Sequence, residues 1–466
     1  MCIRDRPQRM ENKIETRYVT PGRVRTYFAD CLRIIRLGFP VLVSQLGTIV
    51  VGFADNIMVG HYSTDALASA SFVNNIFNLP MLGAMGFSYG ITPIVGALFT
   101  NGNREKIGRV LRAAAIANLV LALALMAVMA GVYILLPHMG QPAYLLPVIR
   151  PYFLIFLAGM LPVCLFNAFA QWSYGIRNTA MPMWIMLGAN LLNILGNYIL
   201  IFGHFGAPEM GLTGAGVSTL AARCLCAFTI VAIFFRASRY RDYALGFRHT
   251  PLRDDYSSVV RMSWPVALQM SFETGAFSGC AIFCGWLGAI EMASFQIIVV
   301  VGMLGFCFYY AIGTATAVLV SNGAGASDAR DMRAKAMAGY GVTLLMCAIS
   351  CLGFSLFARN LIALFTEDAA VIAAACAVIF PLVLYQVADA TQINFANSLR
   401  GTGNVKPMMW ISLVSYVIVG IPSSYLLAFP LGLGLYGIVL SFSVSLFLAA
   451  GLYMTYFFRT VRKAEK

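Results

Sequence analysis

Residues 407 to 458 contain no charged side chain, a run of 52 positions. A bilayer's hydrocarbon core is crossed by about 20 apolar residues at 1.5 Å rise each. This run therefore reads as two membrane helices, divided at Pro430, Gly432 and Gly434. A second charge-free stretch lies between Arg112 and Arg150 and holds another span, to about residue 136, with a loop carrying Pro137, Gly140 and Pro142. The same rule applied along the chain gives spans near 34–60, 66–99, 151–174, 182–202 and up to 236. The second half adds spans near 259–286, 292–320, 336–357 and 371–399. That makes twelve, in a chain with 11% charged residues and a mean hydropathy of +0.78. A soluble domain carries roughly 25% charged residues, so this is an integral membrane protein.

Segments between the spans set the organisation. Residues 1–33 form a basic N-terminal tail with no apolar core of a cleavable signal. Within it, Met1 to Arg9 looks foreign to the rest of the chain, with Met10 as an alternative start. Residues 34–236 form a first lobe of six spans, 237–255 a hydrophilic linker, 256–458 a second lobe of six, and 459–466 a C-terminal tail. Twelve spans put both termini on one side. Of 32 Lys and Arg residues, 29 fall on that side, only Arg150 and Arg359 on the other, and Arg223 inside a span. By the positive-inside rule both termini are cytoplasmic. The net charge of +13 is thus spread over topogenic loops, with no compact basic domain for nucleic acid. The 11 cysteines include i, i+4 pairs, Cys280/Cys284 and Cys347/Cys351, but no histidine or further cysteine completes a zinc spacing.

The halves repeat. LGFPVLVSQ (37–45) parallels MSWPVALQM (262–270), aligning Pro40 with Pro265, and GIRNTAMPM parallels RGTGNVKPM. TNGNREKIGR parallels GAGASDARDM, and GLTGAGVS parallels GLYGIVLS. Six spans separate the partners, an even number, so the lobes share one orientation and relate by a pseudo-two-fold axis along the membrane normal, with a cleft between them. The fold class expected is an all-α polytopic membrane protein of two six-helix lobes.

Three acids lie inside spans: Asp55, Glu273 and Asp389. An ionised side chain at the bilayer centre costs at least ~2.5–3.5 kcal/mol and marks an ion or substrate path. The alternative for each is a satisfied helix–helix contact. Arg223 either reaches Asp55 and neutralises it, faces a polar crevice, or pairs elsewhere.

These motifs resemble the multidrug and toxic compound extrusion (MATE) family. The carriers are SQLGTIVVGFADNIMVG after Pro40, WPVALQMSFETGAFSG, MASFQ, and YQVADATQINFANSLRGTG, in order over the whole chain after the N-tail. The resemblance implies a MATE-like fold and a secondary antiporter for multidrug efflux, which exports organic, chiefly cationic, compounds in exchange for Na⁺, H⁺ or both by alternating access. It further implies a bacterial cytoplasmic membrane, a functional monomer and no cofactor. Having both Glu273 and Asp389 resembles the sodium-coupled, NorM-type branch, with Tyr385 matching an aromatic position of that site. Asp55 matches the first-lobe acid, and Asn193, Asn197 and Thr219 match polar positions around it. Asn197 stands where some relatives carry a second acid, which leaves this lobe less negative and the coupling ion open.

Hard cations take oxygen ligands, which carboxylates, amides and hydroxyls supply. Asn193 and Asn197 are i, i+4 and share a face, as do Tyr385 and Asp389. The substrate site is expected in the cleft between the lobes, where Met303, Phe306, Phe308, Tyr309 and Tyr310 are candidates for a surface that holds flat cations, with ordinary core or lipid-facing positions as the alternative. Rival functions fare worse. A flippase for lipid-linked saccharides is expected to need several intramembrane basic residues. An intramembrane aspartyl protease needs a Gly-x-Gly-Asp stretch, yet Ala388 precedes Asp389, and no nucleotide-binding loop is present.

Overall fold

Inside a bilayer the backbone must satisfy its own hydrogen bonds, which favours long helices. The computed structural model describes residues 21–140 and 142–465, and within them every regular element is helical. Twelve helical stretches follow the expected order. They are α1 (Pro21–Tyr62), α2 (Thr64–Thr100), α3 (Arg104–His138), α4 (Ala143–Gly175), α5 (Ala180–Phe202) and α6 (Gly211–Arg236), then α7 (Arg253–Leu287) and α8 (Ala289–Gly325). Next come α9 (Ala329–Ala363), α10 (Ala369–Ala377 with Ile379–Gly401), α11 (Lys406–Ala428) and α12 (Gly434–Ala464). Ten are long and apolar enough to cross a membrane, and α10 makes an eleventh if its two parts, bent by 49°, count as one span. The bend follows from Pro381, which has no N–H to give the carbonyl four residues back. The remaining stretch, α7, is 35 residues long but carries Gln269, Glu273 and Thr274 along its middle, which lowers its apolar character.

Polar residues set the ends. Ser63, Asn103 and Asp328 cap α2, α3 and α9 by accepting from Ala66 N (3.4 Å), Lys106 N (3.1 Å) and Asp331 N (3.0 Å). Helix α1 runs through Pro40 without a break and is already helical at Pro21, well before the apolar run, because intrahelical hydrogen bonding need not stop at the hydrocarbon edge. The reading of Met1 to Arg9 lies outside the described residues.

The packing repeats as the sequence does. Within the first lobe α5 packs on α6, α3 on α4, and α4 on α6; within the second α11 packs on α12, α9 on α10, and α10 on α12. Across the lobes α1 packs on α8 and α9, while α7 packs on α2 and α3, each pair being the other's counterpart. The linker is not a free strap. Its short helix Arg241–Arg248 lies on α3, with Tyr240 and Tyr243 packed edge-on against Trp172 at 5.1 and 5.7 Å. Arg104 pairs with Asp242 and Arg109 with Asp255, both at 2.9 Å.

The lobes are stitched on the side of the termini. Thr100 Oγ1 donates to Asn322 Oδ1 at 3.0 Å, and Cys31 Sγ donates to the Ala338 carbonyl at 3.8 Å. A Cβ at Gly90 would sit 2.6 Å from Ser263 Cα, and one at Gly96 would sit 1.9 Å from Ser321 Oγ. Only glycine admits such approach. Among the described residues, no hydrogen bond joins the lobes in the opposite half of the membrane.

Candidate functional site

Each lobe contains a cavity with an acid on its wall. The first-lobe cavity is about 440 Å³ and is bounded by α1, α2, α4, α5 and α6. Asp55 borders it, and its Oδ1 accepts a short hydrogen bond from Asn197 Nδ2. Asn193 lies between Asp55 and Thr219. In one amide orientation its nitrogen donates to Asp55 Oδ1 at 3.1 Å while its oxygen accepts from Thr219 N and Oγ1, both at 3.2 Å. In the other its nitrogen donates to Thr219 Oγ1 at 3.2 Å and Ser218 Oγ at 3.4 Å. The i, i+4 spacing on α5 is what brings both asparagines to the α1 acid. Asp55, Asn193, Asn197 and Thr219 are therefore one cluster.

The second-lobe cavity is about 280 Å³, walled by α7, α8, α10 and α11 and closed by Leu82 and Tyr89 of α2. Glu273 and Tyr385 border it; Asp389 does not. Asp389 is only 2% exposed, and its Oδ2 has no hydrogen-bond partner among the described residues. The two acids still feel each other's charge, and both are felt by the buried Tyr416, whose hydroxyl also has no partner there. Tyr416 belongs to a π-helical turn, Leu413–Gly420, of α11. Such turns often occur at functional sites, because they re-aim side chains off the regular helical face.

The aromatic candidates divide. Met303, Phe306 and Tyr310 are spaced i, i+3, i+7, share a face of α8, and border the cavity; the Phe306 and Tyr310 rings stack at 5.7 Å. Tyr309 is fully buried in a separate cluster with Cys347 and Ala390, and Phe308 packs with it, so these two are core. Arg223 forms no pair with Asp55: it borders the first-lobe cavity with its guanidinium 4.7 Å from the Phe156 ring centroid.

Some lining residues escaped the sequence reading. Gln392, Asn397 and Arg400 continue the Tyr385 face of α10, and Asn190 lies one turn before Asn193; both were legible as helical spacing. Arg400 belongs by sequence to the charged loop after α10, yet it is buried, donates to Asn397 Oδ1, and lies 5.2 Å from the Tyr89 ring centroid. Among the described residues no cluster of His, Cys, Asp or Glu could hold a metal ion of the transition kind, and no disulfide forms.

The chain's fold is matched over 94% of its length by solved structures. One, described as the outward-facing conformation of a multidrug resistance MATE family transporter of the MOP superfamily, is 18% identical with a TM-score of 0.86 over 97% of that chain. A MOP superfamily transporter from Pyrococcus furiosus, described by a reversed polarity of its binding pocket, is 18% identical with a TM-score of 0.84 over 97% of that chain. A eukaryotic MATE transporter, AtDTX14, is 16% identical with a TM-score of 0.85 over 98% of that chain. The MatE family model matches twice, over residues 40–199 and 265–426, each match beginning on the repeated helix proline. The chain belongs to the MATE family, and it is a membrane transporter, not an enzyme.

Proposed function

We propose that the protein is a secondary active antiporter that exports organic, chiefly cationic, compounds in exchange for Na⁺, H⁺ or both by alternating access. One observation carries this reading: each lobe has its own polar cavity bordered by an intramembrane acid, in a molecule whose lobes are joined, among the described residues, by hydrogen bonds on one side of the membrane only. Loss of the Thr100–Asn322 contact and of the glycine approaches would open that side as the other closes. In the first lobe, Asp55, Asn193, Asn197 and Thr219 offer oxygens to a hard cation; in the second, Glu273, Asp389 and Tyr385 do so. The stacked Phe306 and Tyr310 rings with Met303 offer a flat cation a face beside Glu273. An ion entering down ~100 mV supplies ~2.3 kcal/mol per charge, enough to drive the solute uphill when the two compete for the same acids.

The basic residues on the side of the termini support a cytoplasmic location for both ends. A bacterial cytoplasmic membrane and a monomer complete the proposal. The runner-up, a flippase for lipid-linked saccharides, would call for several basic residues in a cavity; among the described residues each cavity is bordered by one arginine, Arg223 or Arg400, and by one acid.

The test is transport in liposomes loaded with a fluorescent organic cation, under separate Na⁺ and H⁺ gradients, for wild type, Asp389→Asn and Asp55→Asn. Na⁺-driven movement lost in Asp389→Asn assigns coupling to the second lobe. Proton-driven movement lost only in Asp55→Asn assigns it to the first. No movement under either gradient sinks the exporter reading in favour of the flippase.

A further inference from the structure

Two full charges of opposite sign border the first-lobe cavity and do not pair. The Asp55 carboxylate is held by Asn197. Arg223, on α6, makes no hydrogen bond and no ion pair among the described residues, although it lies close enough to Asp55 to feel its charge. Its guanidinium rests over the Phe156 ring and in a recess made by Gly159: a Cβ at 159 would come within 2.8 Å of Arg223 Nη1. That glycine marks the break between the two halves of α4, so the backbone itself makes room for the cation. The rest of the polar wall is uncharged, chiefly Asn74, Asn167 and Asn190, and Asn190 Nδ2 is buried with no partner among the described residues.

An arginine within the membrane is expensive, and it is kept facing a cavity when something is to be recognised there. Guanidinium presents five N–H donors in a planar fork that matches a carboxylate or phosphate. With no acceptor among the described residues, those donors are available to a ligand, and the unpartnered Asn190 amide adds another. The cavity volume of about 440 Å³ suits a small organic molecule. A purely cationic ligand would gain from Asp55 but be repelled by Arg223. A ligand carrying both signs would satisfy both walls.

We infer that the first-lobe cavity selects solutes bearing an anionic group, such as a carboxylate, alongside their cationic one, with Arg223 receiving the anion and Asp55 facing the cation. This rests on the exporter reading and narrows its substrate class for one of the two cavities.

A matched dye pair tests it: tetramethylrhodamine, a xanthylium cation with a free carboxylate, and its methyl ester, which keeps the cation alone. Binding to the purified full chain is read by fluorescence anisotropy, and the quantity compared is the acid-to-ester affinity ratio. A charge-assisted contact of this kind is worth roughly tenfold or more. Arg223→Gln should lower the ratio by at least about tenfold, the acid weakening while the ester, freed of repulsion, tightens. Arg223→Lys keeps charge but loses the fork, and should lower it by a smaller factor; it also serves if the glutamine variant does not fold. A ratio that is the same in the wild type and either variant overturns the inference, as does a wild type that binds only the ester. The same dyes in loaded liposomes separate the two readings. Dyes that move under an ion gradient with a ratio indifferent to Arg223 leave the exporter and remove the anion site. An Arg223-dependent ratio with no transport leaves the site and removes the exporter.

Discussion

Tyr385 and Asp389 lie one turn apart on the same face of α10, yet only Tyr385 borders the cavity, while Asp389 is 2% exposed with a carboxylate oxygen that has no partner among the described residues. On the proposed function, a phenol at the wall and an unsatisfied acid beyond the lining would admit a small cation inward and exclude an organic one. Size alone would then sort the ion from the solute.

If Na⁺ reaches Asp389, it should stabilise the folded chain. A ligand at a hundred times its dissociation constant adds about 2.7 kcal/mol. Thermal unfolding in detergent should show a rise in Tm with NaCl over equal choline chloride in wild type. Asp389→Asn should have a higher Tm in choline, because a neutral amide is less costly to bury, and should lose the Na⁺ response. An unchanged Na⁺ response in that variant would remove Asp389 from the ion path.

Asn197→Ala removes the donor that holds Asp55 and leaves the acid short of a partner, which costs about 1–3 kcal/mol. Made in an Asp55→Asn background the same change should cost much less. The difference is the coupling energy, measured by a double-mutant cycle on chemical or thermal unfolding.

At the stitched side, Gly90→Val would press a side chain onto the Ser263 backbone, which cannot rotate away. The expected outcome is a shift toward a form open on the side of the termini. A cysteine pair placed at Thr100 and Asn322, whose side chains now touch at 3.0 Å, reports it. Cross-linking should be efficient in the parent and reduced several-fold with Gly90→Val, with export reduced in parallel.

The linker dock is testable apart from transport. Asp255 is 3% exposed and accepts from Arg109 Nε and Leu252 N, each at 2.9 Å. Asp255→Ala should destabilise by about 1–3 kcal/mol, less than for a fully buried pair because Arg109 is partly solvated. Limited proteolysis should then cut between Arg236 and Arg253 faster than in wild type.

What the sequence could show followed physical scale. Spans were legible because hydrocarbon thickness fixes a length, and the repeat because Pro40 and Pro265 open the same pattern twice. The acids were legible because charge stands out in an apolar run. Phe308 and Tyr309 looked equal to Phe306 and Tyr310, since only neighbouring helices decide which face of α8 borders space. Arg400 read as a loop residue because composition sees its neighbours Gly401, Thr402 and Gly403, whereas burial comes from Tyr89 on the other lobe. The π-helical turn that carries the buried Tyr416 has no signature in apolar spacing at all.

The doubled packing has a consequence for descent. The two halves keep the same helix crossings, but their cavities are unlike: one acid among asparagines with an unpaired guanidinium in one, stacked rings and two acids in or beside the other. Gly90 and Gly96, where the lobes approach closely, border neither cavity. Either cavity can therefore acquire a new diet by substitution along its wall, while the helix crossings repeated in the two lobes stay as they are.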